Sequence, residues 1–510
     1  MAEQPPRYTF HPLERRGLLC GLQASQLGAV LAGFTAAVAV VRAVRGPAGM
    51  LAAGCVVGAT GLAALWPLCG QPVGSWAVVA ARWAARRPGE PLLSDEPLAG
   101  RVLAATDAGR LRPPHPRPAQ RPTPCRRPQR GGGTAPAGVE ILDVGPRPGR
   151  DRLGVIVDRR SGALAAVLPV TGGPFSLLDA AEQARRLDAW RAVLCMLARP
   201  GTPLRRVQWL ERSGPAAAGP APAGFDGLAA LASGAGPAAA RNSYAEVVAG
   251  VAPATQIHDV WLVLAVGGTP LGVRLGARRG APPALTGRGA LDALLREIRL
   301  LEGQLRNADL RAGCPLPVET LGELLGAAHH LDGAASGRPG RRPWPMAADE
   351  TWSRLRLDGG WHATFWISEW PRVEVPPGFL APLLLGGGRR SVSVVMAPVP
   401  AGRAIREARS ARTADIADEE LRTKAGFLPS ARRGREAEGV MRREAELADG
   451  HAEYRFSGYV TVSAADPAGL EAAAVEAQHA AQAAHVELVR LYGRQAEAYT
   501  WTLPLARGLR

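Results

Sequence analysis

The sequence predicts an N-terminal transmembrane α-helical hairpin followed by a cytoplasmic α+β part with mixed sheets. Three observations carry this. Two long uncharged runs lie within the first 70 residues. Beyond them the chain switches between strand-like alternation and helix-like spacing of apolar residues. Runs rich in Pro, Gly and Arg separate the ordered stretches.

The first uncharged run extends from Gly17 to Val41. A helix rises 1.5 Å per residue and needs about 20 apolar residues to cross the hydrocarbon core. The short loop Arg42 to Pro47 follows, and a second run extends from Ala48 to Trp66. So short a loop makes the two helices antiparallel. Arg7, Arg15 and Arg16 precede the pair, and Arg82, Arg86 and Arg87 follow it, whereas the loop carries only Arg42 and Arg45. Cationic flanks stay on the cytoplasmic side, so both termini and the soluble part are expected in the cytoplasm and the chain in the cell membrane, with the lipid bilayer as its first partner.

Gly54 and Gly58 are spaced to let another helix approach closely. After Pro67, the positions Val73, Trp76, Ala80, Trp83 and Arg87 share one helical face. Trp66, Trp76 and Trp83, with Arg82, Arg86 and Arg87, suit an interfacial helix whose aromatic rings anchor it at headgroup level. A cleaved leader does not fit, because the first run is too long and a second follows at once.

Residues 88–138 read as a Pro/Arg/Gly-rich linker with too little apolar surface to fold. An α+β domain is expected over 139–331, a loose linker over 332–343 and a second α+β domain over 344–510. Leu153–Asp158 and Ala163–Val170 read as a strand pair joined by the turn Arg159-Arg-Ser-Gly162. Asp179 with Glu182 forms a capping box for a helix that stops at Pro200-Gly201. Val207–Leu210 and Gln256–Val266 are strands, and 214–236 is a loose insertion. Leu291, Leu294, Leu295, Ile298, Leu301 and Leu305 form the buried stripe of a helix over 290–310. Trp361–Ile367, Arg390–Ala397 and Tyr454–Ser463 alternate as strands. Asp466-Pro467 opens a helix ending near Ala484, and Val486–Leu491 returns as a strand. Residues 401–449 form a charged helical arm with few apolar positions.

The net charge of +16 is carried by arginine, since Lys424 is the only lysine. Six cysteines, Cys20, Cys55, Cys69, Cys125, Cys195 and Cys314, form no C-x-x-C pair, which argues against a disulfide framework or a zinc site. A phosphate loop needs Gly-x-x-x-x-Gly-Lys-Ser/Thr, and Lys424 stands in no such context. Gly386-Gly-Gly-Arg-Arg390 leads into a strand, whereas an anion-binding glycine loop leads into a helix. The nine histidines are scattered, and neither H-E-x-x-H nor G-x-S-x-G occurs. We therefore expect no catalytic, cofactor-binding or metal-binding residues.

Pro12-Leu-Glu-Arg-Arg-Gly17, the two runs and the Trp83 stretch resemble an actinobacterial PrgI-like two-span membrane protein. Val155–Gly162, Leu168–Val170, Arg206–Arg212, Ser457–Ser463 and the closing Leu488–Gly508, with Tyr492-Gly-Arg-Gln495 and Leu503-Pro-Leu505, are similar to the N-terminal, non-ATPase domain of VirB-type conjugation (type IV secretion) ATPases. The chain stops about where the ATPase core would begin. The resemblance implies a non-enzymatic inner-membrane docking subunit of a conjugation-like transfer system, partnering a separate VirB-like ATPase and other membrane subunits. The alternative is a membrane-tethered nucleic-acid-binding protein that uses its arginines on phosphates, with affinity falling steeply with salt.

Overall fold

The structure is a computed structural model. It describes residue 10 and residues 24–44, 46–65, 67–68, 71–84, 102–103, 138–145, 152–173, 175–215, 256–267, 288–329, 331, 344–424 and 431–509. The expected linker over 88–138 lies almost wholly outside these residues, as do the loose segment 332–343 and all but the first two residues of the insertion over 214–236.

Helices α1 (Ala24–Ala43) and α2 (Pro47–Leu65) form an antiparallel hairpin, followed by the two-residue strands β1 (Pro67–Leu68) and β2 (Gln71–Pro72) and by helix α3 (Val73–Ala84). The hairpin itself is present, but two transmembrane spans are not: among the described residues, no helix is long and apolar enough to cross a membrane. The uncharged runs contain much Ala and Gly, which carry little apolar surface; in α2 they make up ten of nineteen residues. Ser25 and Gln26 fall within the first turn of α1, which shortens its apolar stretch further.

Beyond α3 the described strands form one 13-stranded sheet rather than several mixed ones. Its strands are β3 (Val102–Leu103), β4 (Val139–Val144), β5 (Leu153–Asp158), β6 (Ala163–Gly172), β7 (Leu204–Pro215), β8 (Gln256–Val266), β9 (Leu310–Ala312), β10 (Ala348–Glu350), β11 (Leu355–Leu357), β12 (Gly360–Glu369), β13 (Arg389–Pro398), β14 (Tyr454–Ala464) and β15 (Glu487–Arg490). All neighbours pair antiparallel except β3 with β4. The helices are α4 (Ala180–Leu197), α5 (Arg288–Asn307), α6 (Val318–His329), α7 (Ala381–Leu384), α8 (Ala401–Lys424), α9 (Ala431–Ala448), α10 (Pro467–Ala483) and α11 (Gln495–Tyr499).

The same plan is laid down twice. In the first unit β4, β5 and β6 form a meander, α4 follows, β7 and β8 form a hairpin with β8 against β6, and α5 leads to β9, which also pairs with β6. In the second unit β10, β11 and β12 form the meander, α7 follows, β14 of the β13–β14 hairpin lies against β12, and α10 leads to β15, which also pairs with β12. Even the helix exits match. Asp309 (φ 54°) after α5 and His485 (φ 56°) after α10 both take left-handed backbone to turn the chain into the short strand. Antiparallel pairing of β7 with β13 fuses the units, so the regions expected to form two domains share one continuous sheet. The charged arm α8–α9 is the insertion between β13 and β14. It occupies the place of residues 216–255 between β7 and β8.

Both faces of the first unit are apolar, because neighbouring residues alternate between two buried layers. Val155, Leu164, Leu262 and Leu264 meet α4 and α5 on one side, whereas Ile156, Ala165, Val263 and Leu210 meet α6 and the C-terminal segment on the other. The α5 stripe is fully buried at Leu294, Ile298, Leu301 and Leu305, each contributing about 2 kcal/mol. In the second unit α10 covers Phe365, Val460 and Val462. Trp209 packs against both helix-covered clusters, so these helices lie on one face of the sheet.

The opposite face, from β7 across the second unit, mixes polar residues with Tyr459 and Trp366 and is sealed by residues 491–509. Gln208 is fully buried, donates to Ser393 Oγ and to the carbonyls of Trp501 and Leu503, and accepts from the Ala506 amide. Thr461 bonds both Thr364 and Thr502 at 2.8 and 2.7 Å. Gln495 bonds the Thr364 amide and carbonyl. Arg507 closes the seam on Asp158. Burial raises the Asp158 pKa, but the bonds from Arg507 and the Arg160 amide outweigh it and hold the carboxylate below its usual range.

Beside this seam His362 is fully buried, with Nδ1 2.8 Å from Ser463 Oγ and its ring against Tyr499. Burial pushes its pKa down to about 3. The unfolded chain binds that proton near pH 6.5, so stability is full above pH 6.5 and falls as pH drops toward 3, by about 2 kcal/mol at pH 5. Thermal melts between pH 7 and pH 5 should show this decline, with a flatter acid limb in His362→Gln; equal limbs would remove His362 from the account.

Candidate functional site

The most distinctive surface is the hairpin, and its side chains follow from its sequence. Between Ala24 and Val41 there is no charged residue, and none between Pro47 and Leu65. The Thr35 and Thr60 hydroxyls are satisfied within their own helices. Thr35 Oγ1 donates to the carbonyls of Leu31 and Ala32, and Thr60 Oγ1 to those of Val56 and Val57. The helices meet through small residues: Ala37, Ala53 and Ala64 are buried, and a Cβ added to Gly33 would lie 2.3 Å from Thr60 Oγ1. Large apolar side chains are thereby left outside. Phe34 is 63% exposed, Met50 72% and Leu51 73%, joined by Leu31, Val38, Val41, Val57 and Leu62. Such a concentration of exposed apolar surface marks a face that meets lipid or protein.

Gly54 and Gly58 do not mediate the α1–α2 contact. An added Cβ would meet nothing within 4 Å at either, and Gly33 takes the close approach instead. Gly17 and Trp66, at the predicted run ends, lie outside the described residues, as do Arg86, Arg87 and the Arg82 side chain.

Trp76 and Trp83 are placed against the sheet body. The Trp76 ring centroid is 6.3 Å from Trp352 and 5.9 Å from Tyr492, and Trp83 meets Trp352 edge-on at 5.7 Å. Trp352 stacks on Tyr492 at 6.4 Å. Each such aromatic pair contributes about 1 kcal/mol beyond its buried area. The clasp closes over Gly493, whose φ is +70° and whose amide donates to the Trp352 carbonyl at 2.7 Å. A Cβ there would fall 2.7 Å from the Trp352 ring and 2.8 Å from Val79. Gly493→Ala should therefore loosen α3 at a cost of about 1–2 kcal/mol from the backbone alone. Faster tryptic release of the N-terminal hairpin from the body would report it, and an unchanged digestion rate would refute it.

A second fastening precedes the hairpin. Phe10 inserts among Trp370, Phe379 and Phe456 with centroids 5.4, 5.3 and 6.3 Å away, and its amide donates to the Pro371 carbonyl. The hairpin is thus bracketed by two aromatic contacts with the sheet. Sequence reasoning missed Trp352, Tyr492 and Phe10, because it shows which faces are aromatic but not what they meet.

The charged arm is the other candidate surface. Ala404, Ala408 and Ala411 form a buried stripe, Arg412 pairs with Glu444 across the two helices, and Arg443 ties the base to Glu453. Tyr454 at the base donates to the Leu194 carbonyl of α4. Ile405, Val440 and Leu447 of the arm are half-buried, whereas Ile416 and Met441 are exposed among charged residues.

Among the described residues no group of His, Cys, Asp and Glu could hold a metal ion. Arg390 of the Gly386–Arg390 turn folds back onto the Leu383 carbonyl and Glu476. The chain matches no protein-family model and no curated protein, so the likeness to transfer-system families rests on the residues quoted for it.

Proposed function

We propose that this chain is a non-enzymatic docking subunit of a conjugation-like, type IV secretion-related transfer system. Its apolar hairpin holds it at the cytoplasmic membrane, and its sheet body receives a separate ATPase. The observation that carries the reading is the bracketed hairpin, an exposed apolar surface fastened at both ends to a large body. Fastening at two points makes the membrane attachment and the body move together, as a platform requires. The energy source is assigned to another subunit because this chain has no phosphate-loop motif.

The nucleic-acid reading has less support. Among the described residues Arg152, Arg159, Arg185, Arg199, Arg403, Arg412, Arg443, Arg490 and Arg507 are engaged with carboxylates. Affinity capture of the tagged full chain from its own cells in mild detergent, read by quantitative mass spectrometry, tests the proposal. Recovery of a phosphate-loop ATPase in near-stoichiometric amount is expected. Repeated capture without one would overturn the docking role.

A further inference from the structure

We propose a binding site for a phosphate-class anion in the cleft where the end of β6, helix α4, the end of α5 and β9 converge. The cleft has a volume of about 650 Å³ and is lined by Thr171, Arg186, Arg306 and Arg311 together with Gly172 and Gly173. Three arginines line this one cleft, and among the described residues only Arg186 of the three is paired with carboxylates. Arg186 lies 3.1 Å from Glu182 and 3.5 Å from Asp309. Asp309 also takes Arg185, so the one carboxylate that lines the cleft is already bound by two cations. Arg306 and Arg311 have no carboxylate partner among the described residues.

The fold builds this arrangement deliberately. Asp309 adopts φ 54° to turn the chain from α5 into β9, which pairs Leu310 with Gly172 and Arg311 with Thr171. The pairing places the Arg311 side chain beside the Thr171 hydroxyl on one face of the two strands. A Cβ at Gly172 would lie 2.9 Å from Leu310 Cδ2, the movable end of that side chain, so glycine eases the approach of the two strands. A Cβ at Gly173 would lie 3.4 Å from Arg186 Nη1, so glycine keeps this wall of the cleft low. An anion would find forked donors from three arginines and a hydroxyl, the geometry that suits a tetrahedral oxyanion. The competing account is that Arg306 complements the C-terminal dipole of α5 and Arg311 is simply solvated. It leaves the convergence of three arginines and a hydroxyl on one cleft without a reason.

Titration calorimetry of the full chain in detergent with pyrophosphate tests the site. Arg306→Glu/Arg311→Glu changes two exposed side chains and should preserve the melting transition. It should weaken pyrophosphate binding at least about tenfold, whereas Arg296→Glu on the same helix should change it by less than about twofold. A vesicle arm separates the sources of the phosphate. If the double variant also loses the preference for phosphatidylcholine vesicles containing phosphatidic acid over phosphatidylcholine alone, the group is a lipid headgroup. If only pyrophosphate binding suffers, it is a soluble phosphate. Absence of pyrophosphate binding at millimolar concentration together with no phosphatidic acid preference, or equal losses in Arg296→Glu, would overturn the site.

Discussion

Replacing Phe34, Met50 and Leu51 together by Asp is expected to shift the protein from floating with lipid vesicles to remaining in the dense fraction. These side chains project from the hairpin at 63, 72 and 73% exposure, so the change removes exposed apolar surface without opening the α1–α2 contact. Burying three such groups is worth about 5 kcal/mol in all, or between three and four decades in partitioning. The sheet body should keep its melting transition, since none of the three belongs to its core clusters. Flotation on a density gradient with wild type beside the variant reads the effect. Flotation of the variant at wild-type level would assign membrane attachment to some other part of the chain.

The largest loss of stability from one substitution is expected at Arg199. Glu297 sits on the buried side of α5, 1% exposed, between Leu294 and Ile298. Arg199, just past α4, meets it with a two-pronged contact, Nη1 to Oε2 at 2.9 Å and Nη2 to Oε1 at 2.5 Å. Arg199→Met leaves a carboxylate in the core without its cation, which should cost about 3–4 kcal/mol. Adding Glu297→Met removes the stranded charge and should recover most of that loss, because the carboxylate, unlike the partly exposed Arg199, is the fully buried member of the pair. Urea denaturation of the single and double variants measures both steps. A double variant no more stable than the single would show that the pair matters for packing rather than charge.

Much of the sheet was legible before the structure. Leu153–Asp158, Ala163–Val170, Gln256–Val266 and Tyr454–Ser463 alternate or run apolar over strand length, and each forms a strand at those positions. The caps were equally local: Asp179 Oδ1 accepts from the Glu182 amide, and Asp466 Oδ1 from those of Ala468 and Gly469. The short strands β10 and β11 are not legible, since three residues hold too little periodicity.

What joins distant parts left no local trace. The β7–β13 pairing that fuses the units connects residues with ordinary strand patterns, and the repeat shows in the order of pairing rather than in similar residues. Glu297 interrupts the apolar stripe of α5 and reads as solvated until Arg199 is placed beside it. Gln208 and Gln495 look like surface amides, yet they hold the C-terminal segment to the sheet. The spans were overread for the opposite reason: absence of charge is easily seen in a sequence, but it does not measure how much apolar surface Ala and Gly present. In the anion cleft, Thr171 and Arg311 are 140 positions apart and meet only through β6–β9 pairing.

The most direct measurement is the distribution of the wild-type, full-length chain after cell breakage and high-speed centrifugation without detergent. The account predicts that it pellets with membranes, stays there through a high-salt wash and is released by mild detergent. Recovery of the intact chain in the supernatant would contradict it.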